Sequence, residues 1–118
     1  MGSRKTHPSQ TARIVHLTAE YWPYIRTGGL GEAVQGIAEF QSMRDSEVTV
    51  LLPLFQTIRE GDYGLKPVGK AFSVQVGSRS EDARLWEATK GSGGPRVLLV
   101  ENDGYFGRSG AYGEKGQD

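Results

Sequence analysis

At 118 residues the chain has room for one domain and a single core. Lys plus Arg and Asp plus Glu are equal at 14 each, so no global field exists to collect nucleic acid or an anionic membrane, and partners must be recognised locally. The absence of cysteine excludes disulfides and thiolate metal sites, and no apolar run approaches the roughly 18 residues of a membrane span, which makes a cytoplasmic protein the default expectation.

Met1 to Thr11 is polar and reads as a flexible arm, leaving residues 12–118 for the folded part. Arg13 to Ala19 carries apolar residues on both faces, the pattern of a central parallel strand covered on both sides. His16 inside it reads as a hydrogen-bonded core residue; the other histidine is in the arm, so no metal site is expected. Glu20 to Ile25, interrupted by Pro23, is a loop at the carboxyl end of that strand, where open α/β sheets place ligands. Glu20 is its one acidic side chain. Tyr21, Trp22 and Tyr24 offer flat faces for a sugar or base, or else Trp22 and one tyrosine plug the top of the sheet.

Arg26-Thr27-Gly28-Gly29-Leu30-Gly31-Glu32 then joins strand to helix. The first four N–H groups of a helix have no intrahelical partner, and the aligned dipoles leave about half a positive charge there. The glycines lower the steric wall in front of those donors and allow a sharp turn, and Arg26 adds a cation whose planar fork suits phosphate oxygens. The segment reads as a phosphate-facing loop; a glycine turn that only packs helix on strand is the alternative.

From Leu30 to about Met43, Leu30, Ala33, Val34, Ile37, Ala38 and Gln41 share one helical stripe, with Phe40 and Met43 flanking it as core. Gly36, unfavourable in a helix, suggests a close approach of helix to strand. Val48 to Leu52 is a second strand, completing a right-handed βαβ unit; Pro53 ends it, and one helical turn follows at Gln56 to Glu60. Gly64-Leu65-Lys66-Pro67-Val68-Gly69-Lys70-Ala71 differs from a nucleoside-triphosphate phosphate loop only at its last residue. It lacks the magnesium-binding hydroxyl, and Phe72, Val74 and Val76 continue as a strand, not a helix. That strand, a turn around Gly77 to Glu81, and Ala83 to Ala88 read as a β-hairpin. Val97 to Val100 is a third buried strand, and Glu101 to Asp118 a long loop.

The fold class is therefore α/β: parallel strands, one main helix and a β-hairpin insertion, in a partial Rossmann-like arrangement. Three strands need cover on both faces, yet one amphipathic helix is evident, so the second face has nothing in this chain to pack on. Such a lobe is incomplete: either a longer protein continues it or another chain buries that face.

Ala19-Glu20-Tyr21-Trp22-Pro23 followed by Arg26-Thr27-Gly28-Gly29-Leu30-Gly31-Glu32-Ala33-Val34 resembles the amino-terminal signature of bacterial glycogen synthases and plant starch synthases. Val50-Leu51-Leu52-Pro53 and Tyr105-Phe106-Gly107-Arg108-Ser109-Gly110-Ala111-Tyr112-Gly113 are similar to the next two landmarks, in the same order. The resemblance implies the amino-terminal lobe of a GT-B glucosyltransferase that moves glucose, with retention, from ADP-glucose or another sugar nucleotide to an α-1,4-glucan. It needs no cofactor and no metal. It places Arg26, Gly28 and Gly29 at the sugar nucleotide, with Glu32 in place of the family's aspartate and Arg26 in place of its lysine. Glu20 and Tyr112 match positions near the acceptor glucan. The family's Asp-Arg-Pro-Gly has become Gly107-Arg108-Ser109-Gly110. No catalytic residue is carried over, because the groups that hold the diphosphate and the reacting glucose belong to the missing carboxyl-terminal lobe, so the chain alone is expected to be inactive. A non-catalytic sugar-nucleotide or glucan binding module is the alternative. A signalling receiver domain would need an acidic pair after the first strand, and Glu20 stands alone.

Overall fold

The computed structural model describes residues 12–25, 28–90 and 94–107. In chain order the elements are β1 (Ala12–Leu17), α1 (Gly29–Ser42), β2 (Ser46–Pro53), α2 (Gln56–Arg59), β3 (Leu65–Val76), β4 (Arg79–Ala88), β5 (Arg96–Glu101) and α3 (Asp103–Phe106). The expected arm, Met1 to Thr11, lies outside the described residues.

The strands form one mixed sheet in the order β1-β2-β5-β4-β3. β1, β2 and β5 are parallel, paired through Ile14 with Val48 and Val50 with Val97; β4 runs antiparallel to β5, and β3 to β4. The hairpin is thus part of the main sheet and closes the β5 edge. Apart from Gly64, the look-alike phosphate loop lies inside β3: Gly69 has φ 71°, and the register shifts between Val68 and Phe72, the signature of a bulge. A strand running through that segment leaves no helix start to hold a phosphate.

Because strand side chains alternate, the register assigns each residue to one of two faces. Ile14, His16, Val48, Val50, Leu52, Val97, Leu99 and Trp86 share one face, and this is the core. α1 covers it with Ala38, and the segment around α2 with Leu54, Phe55 and Ile58, all fully or almost fully buried. His16 Nε2 lies 2.7 Å from Gln41 Oε1, so the strand histidine is indeed a hydrogen-bonded structural residue joining β1 to α1.

Val15, Leu17, Leu51, Leu98, Val100, Leu85, Phe72 and Val74 lie on the opposite face. Leu17 is 76% exposed there and Val15 60%. Among the described residues β1 is consequently an edge strand with one open face, where its composition suggests a central, doubly covered strand. Both longer apolar layers, α1 and the α2 segment, sit on the other side.

The helix differs from its predicted stripe in rotation. Gly31 and Ala38 are its buried positions, with Val34, Gln35 and Gln41 half-buried, whereas Leu30, Ile37, Phe40 and Met43 are exposed. Phe40 and Met43 are therefore not core. The apolar set is wider than one sheet face needs, and small residues, Gly31 and Ala38, take the contact line. A Cβ built on Gly36 meets nothing within 4 Å, so no close approach occurs there, and nothing in the structure explains that glycine.

Candidate functional site

β1 delivers the chain to a turn at its carboxyl end. Thr18 hydroxyl donates to the Glu20 carbonyl at 2.7 Å and accepts from the Glu20 amide at 3.2 Å, which turns the backbone away from the sheet. Glu20 is only 2% exposed, a burial that a carboxylate tolerates only with partners. Tyr21 and Ile25 then exchange two backbone hydrogen bonds, each 3.0 Å, closing a tight turn over Trp22-Pro23-Tyr24. The amide of Trp22 donates to the carbonyl of Gly31 at 3.1 Å, tying this turn to the first turn of α1.

The aromatic residues divide by role. Tyr21 is buried and stacks on Tyr24 with centroids 6.0 Å apart, and Tyr24 meets Tyr63 at 4.6 Å. Trp22 is 43% exposed, so the plug at the top of the sheet is Tyr21 and not Trp22. Burial, then the Glu39 carboxylate, then Tyr24 push the Tyr21 phenol up to about 12; burial and then Tyr63 raise that of Tyr24. Both are neutral packing groups at physiological pH.

α1 begins at Gly29 with Gly28 as its N-cap. Gly28 has φ −165° and ψ −153°, an extended conformation open to any residue, so the backbone turns less sharply here than its glycines suggest. A Cβ built on Gly28 or Gly29 meets no described atom within 4 Å. Among the described residues, no backbone carbonyl accepts from the amides of Gly28, Gly29, Leu30 or Gly31. Neither local conformation nor packing among these residues requires the glycines. What they create, among the described residues, is open space in front of the first N–H donors at the positive end of a 14-residue helix. Glu32, exposed in the first turn, adds the acidic side chain that favours this end of a helix. Arg26 and Tyr112 lie outside the described residues.

A second feature occupies the carboxyl ends of the parallel strands. Leu17, Thr18, Ala19, Leu51, Pro53 and Phe106 line an apolar depression of about 330 Å³ on the uncovered face. Asn102 caps α3 by accepting from the Tyr105 amide at 3.0 Å, which seats Phe106 there, edge-on to Phe55. The end of β5 is fixed by polar contacts that sequence reading missed. Glu101 accepts from Trp86 Nε1 at 2.8 Å and from Arg59 Nη1 at 3.3 Å, while Arg59 Nη2 donates to Asp103 at 2.8 Å. No spacing rule joins residues from α2, β4 and β5, so nothing in the sequence signalled this cluster.

The model of the starch synthase catalytic domain family matches residues 13–118. The chain belongs to that family. This starch synthase family chain is 36% identical over 107 residues to the glycogen synthase of Anaeromyxobacter sp. (strain K), covering 90% of the chain and 21% of that relative. It is 27% identical over 105 residues to the glycogen synthase of Syntrophotalea carbinolica, again covering 21% of that protein. The chain thus spans about a fifth of the length of the curated relatives it matches. Among solved structures, the catalytic domain of starch synthase IV from Arabidopsis thaliana, bound to ADP and acarbose, superposes with a TM-score of 0.77 at 22% identity, over 91% of this chain and 22% of that one. The family's glycosyltransferase fold is therefore present here in part, as the α/β, partly Rossmann-like arrangement read from the sequence. Among the described residues, no helix is long and apolar enough to cross a membrane, and no cluster of His, Asp and Glu is arranged to hold a metal ion.

Proposed function

We propose that this chain is the amino-terminal part of a retaining glucosyltransferase that transfers glucose from ADP-glucose to an α-1,4-glucan, and that it supplies the donor-phosphate wall of the cleft. The observation that supports this reading is the open space at Gly28 and Gly29 before first-turn amides of α1 from which, among the described residues, no backbone carbonyl accepts. A diphosphate there would accept from backbone amides and from Arg26, each charge-assisted bond contributing roughly 1.5–3 kcal/mol. ADP in starch synthase IV supports a nucleoside diphosphate as the ligand. In this reading Glu20 and Tyr112 belong to the acceptor glucan and Glu32 to the donor, as the family signature implies.

The chemistry needs more than this wall. Retention requires a leaving diphosphate held as charge develops on it, and one helix end and one arginine leave the far side of the donor without donors of its own. A carboxyl-terminal lobe provides that side, and the working protein is cytoplasmic.

Calorimetric titration with ADP-glucose, ADP and maltooligosaccharide, beside a glucose-incorporation assay, tests the proposal. The 118-residue chain should bind ADP weakly and incorporate no glucose, while a protein of the relatives' length should do both. Glucose incorporation by the chain alone would overturn the division between lobes. Binding without turnover in the long protein would favour a non-catalytic module.

A further inference from the structure

The turn between β1 and α1 is braced by a residue distant in sequence, Tyr63, in the segment between α2 and β3. We propose that Tyr63 is a positioning residue for the amino end of α1, acting through Tyr24, Tyr21 and the Trp22 backbone; the functional part of this claim rests on the donor-site reading above.

Tyr63 is pinned at its backbone and at its ring. Its carbonyl accepts from the amides of Thr89 at 3.1 Å and Lys90 at 3.0 Å, which fixes it to the end of β4, and beside it Lys90 Nζ pairs with Asp62 at 2.7 Å. Two glycines make room for this seating. A Cβ on Gly61 would collide with the Tyr63 ring, and Gly64 has φ 64° with Thr89 Oγ1 2.5 Å from where its Cβ would stand. At those positions glycine is required by close approach, in contrast to Gly28 and Gly29.

From that anchor the contacts run one way. The Tyr63 ring meets Tyr24 at 4.6 Å, Tyr24 stacks on the buried Tyr21 at 6.0 Å, Tyr21 exchanges two backbone bonds with Ile25, and the intervening Trp22 is bonded to Gly31. Ile25 is buried. No described atom of this relay lies within 4 Å of the Cβ positions of Gly28 and Gly29, so Tyr63 acts on where the amino end of α1 stands and not on the ligand.

The test uses the 118-residue chain, isotope-labelled, with ADP as the probe. Tyr63→Ala removes the ring, Gly61→Ala displaces it while keeping it, and Tyr63→Phe preserves its packing. The first two should shift the amide resonances of Gly28 and Gly29 in the ligand-free chain and weaken ADP binding about tenfold. Amides at the hairpin tip, Val74 to Ser78, should stay in place, and Tyr63→Phe should match the wild type in every readout. Unmoved Gly28 and Gly29 resonances in Gly61→Ala and Tyr63→Ala, with only a lowered melting temperature, would overturn the proposal by reducing Tyr63 to packing. A wild-type chain that fails to bind ADP would end the donor-site reading instead, and the ligand-free shifts would still decide the positioning claim.

Discussion

The Trp22 amide donates to the Gly31 carbonyl across 3.1 Å, so the turn leaving the first strand is bonded to the first turn of the helix that follows the glycine loop. The closed turn after β1 and the start of α1 are thereby fixed to each other. Tyr21 and Trp22 contribute unequally to that arrangement. Tyr21 is buried against Tyr24 and the core, and replacing it by alanine should cost about 3–5 kcal/mol. Trp22→Ala keeps the backbone donor and removes a half-exposed ring, so it should cost under about 1 kcal/mol. Urea unfolding of the two variants checks the ordering.

Gly36 sits inside α1 with open space around its Cβ position. Alanine there adds no clash and narrows the unfolded ensemble, so Gly36→Ala should stabilise the chain by about 0.5–1 kcal/mol. Thermal unfolding by circular dichroism measures it. An unchanged or lowered midpoint would mean that the outer side of this helix is covered in solution.

The buried tyrosines give the chain an alkaline limit. The Tyr21 phenol has its folded pKa pushed up to about 12 by burial first and the Glu39 charge second, and Tyr24 is raised in the same direction. Below pH 10 both are protonated whether the chain is folded or not, and the stabilising contribution is fully present. Between pH 10 and 12 the unfolded chain loses protons that the folded chain keeps, so stability falls as pH rises, by up to about 2–3 kcal/mol for Tyr21. Unfolding midpoints across pH 8 to 12 should show this loss, and Tyr21→Phe should flatten it.

Glu101 accepts from both Trp86 and Arg59 where β4, β5 and α2 converge. Removing both acceptors by Glu101→Ala leaves the half-buried indole N–H unpaired and should cost about 1–3 kcal/mol. Glu101→Gln keeps an oxygen for Trp86 and should cost less. A double-mutant cycle with Arg59 separates the ion pair from the indole bond.

The local pattern carried the element types because period-2 and period-3.6 runs report directly on strands and on α1. Cover was harder to read. Val15, Leu17, Phe40 and Met43 are as apolar as core residues, and composition does not say that one sheet face and one side of α1 are left open. Nor did it reveal that Leu65 to Ala71 belongs to a strand, because Pro67 and Gly69 look like breakers, yet an edge strand accepts the first in register and a bulge absorbs the second. The glycine loop was legible as a motif, since it joins a strand to a helix. Its support by Tyr63 was not, because an aromatic contact between distant loops leaves no periodic trace. Of the two candidate site residues outside the described segments, Arg26 rests on its charge beside the helix start and on the family signature, and Tyr112 on the signature alone.

The central claim places a diphosphate over the amino end of α1, and amide chemical shifts under titration with ADP test it most directly. The account predicts that saturating ADP moves the resonances of Gly28, Gly29, Leu30 and Gly31 most, and that Arg26→Ala weakens binding by about tenfold or more. Binding that leaves those four amides in place, or that is indifferent to Arg26, would contradict it.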